Sequence, residues 1–338
     1  MIKGVIKYSA LKTKLSALSG KLLTPADFNA LKSSGSVLEA TAFLKSLESY
    51  KNALSSLTEE DTHRGQVELL LWQSLYEDIQ KINRFLGEKD RLFMDAYFIR
   101  YEIRFLAQTF EVLLDDSVTY LPLRADFGTG LFGRLSGLDV IAVSKAKNIE
   151  EYFNILKSSM YKTISNVVKP DEISPFDLEM HFEIFYFRQL FKVLNKKLSS
   201  SAVKGLKESC GALADMYNLK WIYRAKKYFN IDPTIIYSYL LPAKLHLSVD
   251  FYNKIISERD VASVEQQILK TPYAHCVKEG FSAESIYDIA LKIDRKVKAE
   301  FPYSVAIALE YIHKKDLEIK NIITAIESIR YQNTGKES

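Results

Sequence analysis

A chain of 338 residues with 47% hydrophobic content can bury a sizeable core and divide into two or three domains. Twenty Tyr and nineteen Phe against thirteen Gly and eight Pro exclude a disordered chain and argue against an all-β one, so a helical protein is expected. Forty-six basic and forty-two acidic residues leave a net charge of +4, too little over this length to make nucleic acid a default partner. Cys210 and Cys276 form no disulfide framework, which fits a reducing, cytoplasmic compartment. No stretch approaches the roughly 18 apolar residues of a membrane span. Met1-Ile2-Lys3-Gly4 opens an amphipathic pattern rather than a signal peptide, so any membrane attachment is expected through a partner.

Tyr8, Leu11, Leu15, Leu18 and Leu22 step by three and four residues, which predicts an amphipathic helix ending near Leu23. Thr24-Pro25-Ala26-Asp27 restarts the chain with an N-cap, a proline at the first helical position and an acid in the first turn. Ser36-Val37-Leu38-Glu39 predicts a capping box for the helix after it. Ile99, Ile103, Leu106, Phe110 and Leu113 then mark a longer helix. Pro122 to Gly137, with four of the thirteen glycines, and Lys169 to Pro175 are expected to connect helical blocks. Ile319, Ile322, Ile326 and Ile329 mark the last long helix.

A motif recurs three times: Leu44-Lys45-Ser46, Leu156-Lys157-Ser158 and Leu269-Lys270-Thr271, followed by Tyr50, Tyr161 and Tyr273. The tyrosine spacings, 161 − 50 = 111 and 273 − 161 = 112, are close to a third of the chain, and Leu38, Ile149 and Val261 each lie twelve residues before their tyrosine. Upstream, Gly20-Lys21-Leu22 and Asp27-Phe28 correspond to Ala243-Lys244-Leu245 and Asp250-Phe251, while the middle copy is looser, with Asp139. The repeat predicts three helical units, residues 1–115, 116–225 and 226–338, with the tyrosines in equivalent positions. A fainter repeat places Asp95 before Ile99-Arg100, Asp215 before Leu219-Lys220 and Asp316 before Ile319-Lys320, a spacing suited to ion pairs within or between helices.

Chemical signals are few. Gly128-Thr129-Gly130-Leu131-Phe132-Gly133 matches the dinucleotide fingerprint, and Val118 to Leu121 could be a strand before it. That fingerprint works only inside a βαβ region, and helical periodicity flanks it here, so a loop is expected. His63, His181, His246, His275 and His313 include no i, i+4 pair and no cluster with cysteines, so no metal site is expected. His275-Cys276 are neighbours that point about 100° apart on a helix. His181-Phe182-Glu183 lies in an aromatic run through Phe191 that reads as core. No P-loop, Ser/His/Asp set or paired-carboxylate pattern is present, and neither a catalytic role nor a cofactor is expected.

Three segments carry a resemblance. Tyr8-Ser9-Ala10-Leu11-Lys12 through Leu22-Leu23-Thr24-Pro25-Ala26-Asp27-Phe28, then Leu269-Lys270-Thr271-Pro272-Tyr273, and Tyr311-Ile312-His313-Lys314-Lys315-Asp316-Leu317-Glu318-Ile319-Lys320-Asn321-Ile322 are similar to signature segments of the C subunit of bacterial and archaeal V-type ATPases, related to the d subunit of the eukaryotic vacuolar enzyme. The chain departs from that pattern at Asp316, where glutamate is usual, at Lys320, where arginine is usual, and at Glu48-Ser49, where threonine is expected before Tyr50. The resemblance implies an all-α, funnel-like socket of three pseudo-threefold-related bundles. It also implies a non-catalytic central-stalk connector that receives the D and F shaft subunits and sits on the membrane proteolipid ring, coupling ATP turnover to proton or sodium transport from the cytoplasmic face.

Arg100, Arg104, Lys220, Arg224 and Lys320 recur on the long helices. The plainer reading pairs them with Asp95, Asp215 and Asp316 or turns them to solvent. In a threefold funnel they would face the central cavity, and some would meet the shaft. Two other readings stand beside the socket: a generic helical-repeat scaffold, which a period near 111 residues disfavours, and a nucleotide-dependent enzyme using Gly128 to Gly133, which requires a parallel sheet.

Overall fold

Polar caps set where these helices begin, and buried acids set where the segments between them stop. The computed structural model of the chain describes residues 2–58, 64–114, 133, 135–170, 172–196, 198, 200–229, 231–241 and 245–334. Helix accounts for 74% of the chain, and no strand occurs among the described residues. Gly128 to Phe132, Val118 to Leu121, His63, Asp171 and Ala243-Lys244 lie outside the described residues.

The first helix, α1 (Ile2–Ser19), buries Leu11, Leu15 and Leu18. It ends before Leu23, whose N–H is donated to Glu318 at 2.6 Å instead of continuing the helix. In α2 (Pro25–Lys32) the Thr24 hydroxyl accepts from the Asp27 N–H and the Asp27 carboxylate takes the Thr24 N–H, so the reciprocal box forms here. For α3 (Val37–Ser46) Ser36 is the cap, but the Glu39 carboxylate takes the N–H of Gly35, one residue before the cap that a capping box requires. Two long helices follow, α4 (Arg64–Asn83) and α5 (Glu88–Leu114).

The pattern of short helices before a long pair then returns. After α6 (Val140–Ser144), α7 (Ile149–Leu156) and α8 (Lys162–Val167) come α9 (Pro175–Lys196) and α10 (Ser200–Arg224), which runs into a π-helical turn, Ala225–Phe229. The chain continues through α11 (Pro233–Ser238), α12 (Val249–Ser257), α13 (Val261–Ile268) and α14 (Ala274–Lys278) to α15 (Ala283–Glu300) and α16 (Ile307–Thr334). Asp139 differs from Asp27: it is the N-cap of α6, accepting from the Ala142 N–H, whereas Asp27 lies inside the first turn of α2. Helix α5 lies along α9, both α10 and α16 lie along α15, and α16 also packs on α1, α2, α3 and α4. The predicted stripes are interior, with Ile99, Ile103, Leu106 and Phe110 of α5 and Ile319, Ile322, Ile326 and Ile329 of α16 all buried. Phe182, Phe185, Tyr186 and Phe187 of α9 are core as well.

The three repeat tyrosines are wholly buried, and each donates its hydroxyl to a buried carboxylate on a long helix. Tyr50 reaches Glu318 Oε1 at 2.6 Å, Tyr161 reaches Glu102 Oε1 at 2.7 Å, and Tyr273 reaches Asp215 Oδ2 at 3.0 Å. The same carboxylates also take backbone N–H groups: Leu23 on Glu318 at 2.6 Å, Gly133 on Glu102 at 2.7 Å and His246 on Asp215 at 2.8 Å. The gap from that N–H to its tyrosine is nearly constant, 50 − 23 = 27, 161 − 133 = 28 and 273 − 246 = 27. Each acid thus pins both ends of one short-helix segment. In the first copy the acid comes from α16, so the two ends of the chain are joined through Glu318.

Two glycines make these clamps possible. Gly133 has φ +77°, and a Cβ there would stand 2.3 Å from the Leu138 carbonyl oxygen. A Cβ on Gly211 of α10 would come within 2.8 Å of Leu245 Cβ, so glycine allows the 245–246 backbone to reach Asp215 one turn away. Burial raises the pKa of Glu102, and the hydrogen bonds from Gly133, Ser136 and Tyr161 offset part of that rise. Removing the Tyr161 hydroxyl leaves a buried carboxylate oxygen short of a donor. Tyr161→Phe is therefore expected to cost about 1–3 kcal/mol in urea unfolding, with Tyr228→Phe on the surface within about 0.5 kcal/mol of wild type. Equal midpoints for the two variants would show that the clamp does not stabilise the fold.

Candidate functional site

Because α5, α10 and α16 carry the clamp acids Glu102, Asp215 and Glu318, positions can be counted from those acids along each helix. Two residues on stand Arg104, Tyr217 and Lys320, and all three line one cavity of about 320 Å³. Arg100 and Lys220 line it too, with Glu179 and Glu183 of α9 opposite. Four of the five bases singled out in the sequence, Arg100, Arg104, Lys220 and Lys320, therefore converge. Arg224 does not line this cavity; its guanidinium lies 5.6 Å from the Trp221 ring centroid.

Asp316 organises three of the four. Its carboxylate is fully buried and has Arg104 Nη1 at 3.6 Å, Lys320 Nζ at 3.7 Å and Arg100 Nη2 at 3.9 Å, while the Tyr287 hydroxyl donates to Oδ2. Burial alone would raise the Asp316 pKa, but Lys320, Arg104 and Arg100, with the Tyr287 hydrogen bond, outweigh it and hold the group below the ordinary carboxylate range. The expected pair Asp316 with Lys320 is present. The expected pair Asp215 with Lys220 is not, because Asp215 is occupied by Tyr252, Tyr273 and the backbone at 245–246. Lys220 makes no ion pair among the described residues and rests 5.8 Å from the Tyr217 ring centroid. Burial lowers its pKa.

Several participants left no mark in the sequence. Glu183 stands in the aromatic run of α9, and burial pushes its carboxyl up to about 7 against the pull of Arg100. Arg100 donates to the Tyr97 hydroxyl at 2.7 Å, Tyr97 meets His313 Nε2 at 2.6 Å, and His313 Nδ1 meets Asp294 at 2.5 Å. This chain of contacts joins α5, α15 and α16 inside the packing, with His313 and Asp294 sealed from solvent and from substrate. His313 and Asp294 are 19 residues apart on different helices, beyond the reach of any local spacing rule. His275 is partly exposed and faces Asp288 at 3.3 Å, while Cys276 beside it is buried. Among the described residues no three His, Cys, Asp or Glu side chains gather as a metal site, and no helix is long and apolar enough to cross a membrane.

The family model for the ATP synthase (C/AC39) subunit matches residues 11–336. The chain is 24% identical over 334 residues to the A-type ATP synthase C subunit of Pyrococcus furiosus, covering 95% of this chain and 86% of that one. It is also 24% identical over 332 residues to the A-type ATP synthase C subunit of Thermococcus gammatolerans, with the same coverage, and 24% identical over 327 residues to that of Desulfurococcus, covering 93% and 85%.

Lys320 and Glu183 give this cavity a pH signature. Burial, helped by Arg104 and Arg100, outweighs Asp316 and brings the Lys320 pKa down to about 7. The unfolded chain still holds that proton up to pH about 10, so it binds more protons than the fold between these limits and stability rises with pH across the window. Glu183 acts with the opposite sign: its folded pKa is raised, so stability falls as pH climbs from about 4.5 to about 7. With 27% of the Lys320 side chain open to the cavity, solvent moderates the effect. The urea midpoint is expected to rise from pH 7.5 to about 9.5 in wild type and to lose that rise in Lys320→Met. An equal rise in the variant would assign it to other groups.

Proposed function

The chain belongs to the ATP synthase (C/AC39) subunit family, and from that membership we propose that it is the non-catalytic central-stalk connector of a rotary ATPase. In this reading the helices form a funnel of three pseudo-threefold-related bundles, residues 1–115, 116–225 and 226–338. The funnel receives the D and F shaft subunits, and its opposite face sits on the proteolipid ring at the cytoplasmic side of the membrane. The protein passes torque between ATP turnover and proton or sodium translocation without reacting itself.

The observation that carries this reading is the shared cavity, to which α5, α10 and α16 bring Arg104, Tyr217 and Lys320 from the same position relative to their clamp acids. Helices α5 and α10 end at Leu114 and Arg224, where the proposed units meet. Each unit then ends in a long helix whose acid clamps the next unit's tyrosine, and α16 closes the series on Tyr50. A head-to-tail series that closes on itself is a ring. Buried, fully bonded carboxylates at the joints make such a ring stiff, as torque transmission requires.

Lys220 is the base best placed to test the docking. Arg100→Glu would set a second carboxylate against buried Asp316 and break the fold rather than the interface. Wild type is expected to bind a purified D–F pair, and Lys220→Glu to bind it at least about tenfold more weakly at low salt with helicity intact. Recovery of rotary ATPase subunits on a tagged chain drawn from its host would support the assignment. A folded wild type that binds no D–F at low salt would overturn the socket.

A further inference from the structure

Counting from the clamp acids past the cavity reaches a feature that the stalk reading does not use. Lys227 and Tyr228 lie 12 and 13 residues after Asp215, and Arg330 and Tyr331 lie 12 and 13 residues after Glu318. Both tyrosines are strongly exposed, Tyr228 at 63% and Tyr331 at 73%, and both bases before them are exposed too. The same base-tyrosine pair recurs at the ends of two helices that share a cavity. The positions two residues after the acids meet at that cavity, and each pair lies ten or eleven residues further along its own chain segment, roughly 15 Å at 1.5 Å per helical residue.

The local structure around Tyr228 enlarges the patch. The π-helical turn Ala225–Phe229 widens the last turn of α10, a feature that often marks functional positions. It leaves Phe229 exposed beside Tyr228, and the Ile231 N–H returns to the Ala225 carbonyl at 3.2 Å just before α11 begins. Ile235 and Tyr237 of α11 are exposed in turn. From residue 224 to 237 the bases are Arg224, Lys226 and Lys227 against the single acid Asp232, whose carboxylate caps α11.

We propose that this end of the molecule is a membrane-interfacial surface that meets anionic lipid headgroups. Tyrosine suits the boundary between headgroups and acyl chains, since its ring is apolar and its hydroxyl polar. Lysine and arginine beside it supply the attraction to anionic lipid. Ile235 and Phe229 add shallow apolar contact, enough for a surface anchor and far short of a span. An acidic protein partner would match the bases equally well but would not need five exposed apolar and aromatic side chains flanking them. The inference stands on the clamp positions and the exposure of these residues, and it does not require the stalk assignment.

The isolated, full-length chain tests it by flotation with vesicles of phosphatidylcholine alone or mixed with phosphatidylglycerol. Wild type is expected to float with the anionic vesicles and not with the neutral ones. Lys227→Glu with Arg330→Glu should reduce that binding at least about tenfold. Tyr228→Ser with Tyr331→Ser should abolish the part that survives raised salt. Both pairs lie on exposed side chains, and unchanged circular dichroism confirms that the variants fold. Failure of wild type to float with anionic vesicles overturns the proposal, as does equal flotation of the charge-reversed variant. Loss of binding to a detergent-solubilised proteolipid ring in the same variants, without any vesicle binding, would overturn it in favour of a protein contact. No shaft subunit is present in the assay, so its failure leaves D–F docking untouched.

Discussion

A carboxylate buried without compensation is among the most expensive groups a fold can contain, and this chain buries Glu102, Asp215 and Glu318 as its joints. Each is compensated in the same way, by a tyrosine hydroxyl and by a backbone N–H that stands 27 or 28 residues before that tyrosine. The arrangement closes a loop of short helices onto a long helix at both of its ends. Because the acid of the first copy is Glu318, near the C-terminus, the N-terminal segment cannot take its place until the last helix has been made. The order of the clamps therefore couples the two ends of the chain, and the stability of each part depends on the whole.

The cavity follows from the clamps. Once the three long helices are pinned through these acids, the residues two positions along each of them face a common space. Small apolar residues there would let the helices collapse together. Arg100, Arg104, Lys220 and Lys320, facing Glu179 and Glu183, keep the space open, because closing it would strip water from more charge than Asp316 can neutralise. The low pKa of Lys320 and the high pKa of Glu183 are the residue of that conflict, two groups each nearer to neutrality than its kind usually is.

Much of the fold was legible because its signals are local. The apolar stripes of α5 and α16 and the Thr24 cap need only a few neighbouring residues, and the motif tyrosines stood out through a repeated string. Their partners did not. Glu102 and Asp215 lie 59 and 58 residues before their tyrosines and Glu318 lies 268 after its own, and no spacing rule joins such pairs. The spacing of four or five residues selected Asp95, Asp215 and Asp316 instead, which is the logic of a surface ion pair. It found the Asp316 and Lys320 contact but misread Asp215, whose oxygens serve the clamp. The bases of the cavity were legible as a set, except Arg224. One further turn of α10 carries it about 6 Å along the axis from Lys220, to Trp221 and away from the shared space.

The three clamps and the cavity differ in a way that bears on what can enter. At the clamps, side chains are equivalent: tyrosine, carboxylate, backbone N–H, three times over. At the cavity, the helix positions are equivalent but the side chains are not, since Arg104, Tyr217 and Lys320 occupy the same place on α5, α10 and α16. A partner of threefold symmetry would find three different surfaces and lose contacts on at least one. A partner without that symmetry, such as the proposed shaft, would find one orientation in which its charges meet Arg104 and Lys320 while an uncharged face meets Tyr217. In the proposed socket, repetition in the backbone would supply a stiff ring, and divergence among the lining residues would supply the single rotational setting in which a shaft is gripped.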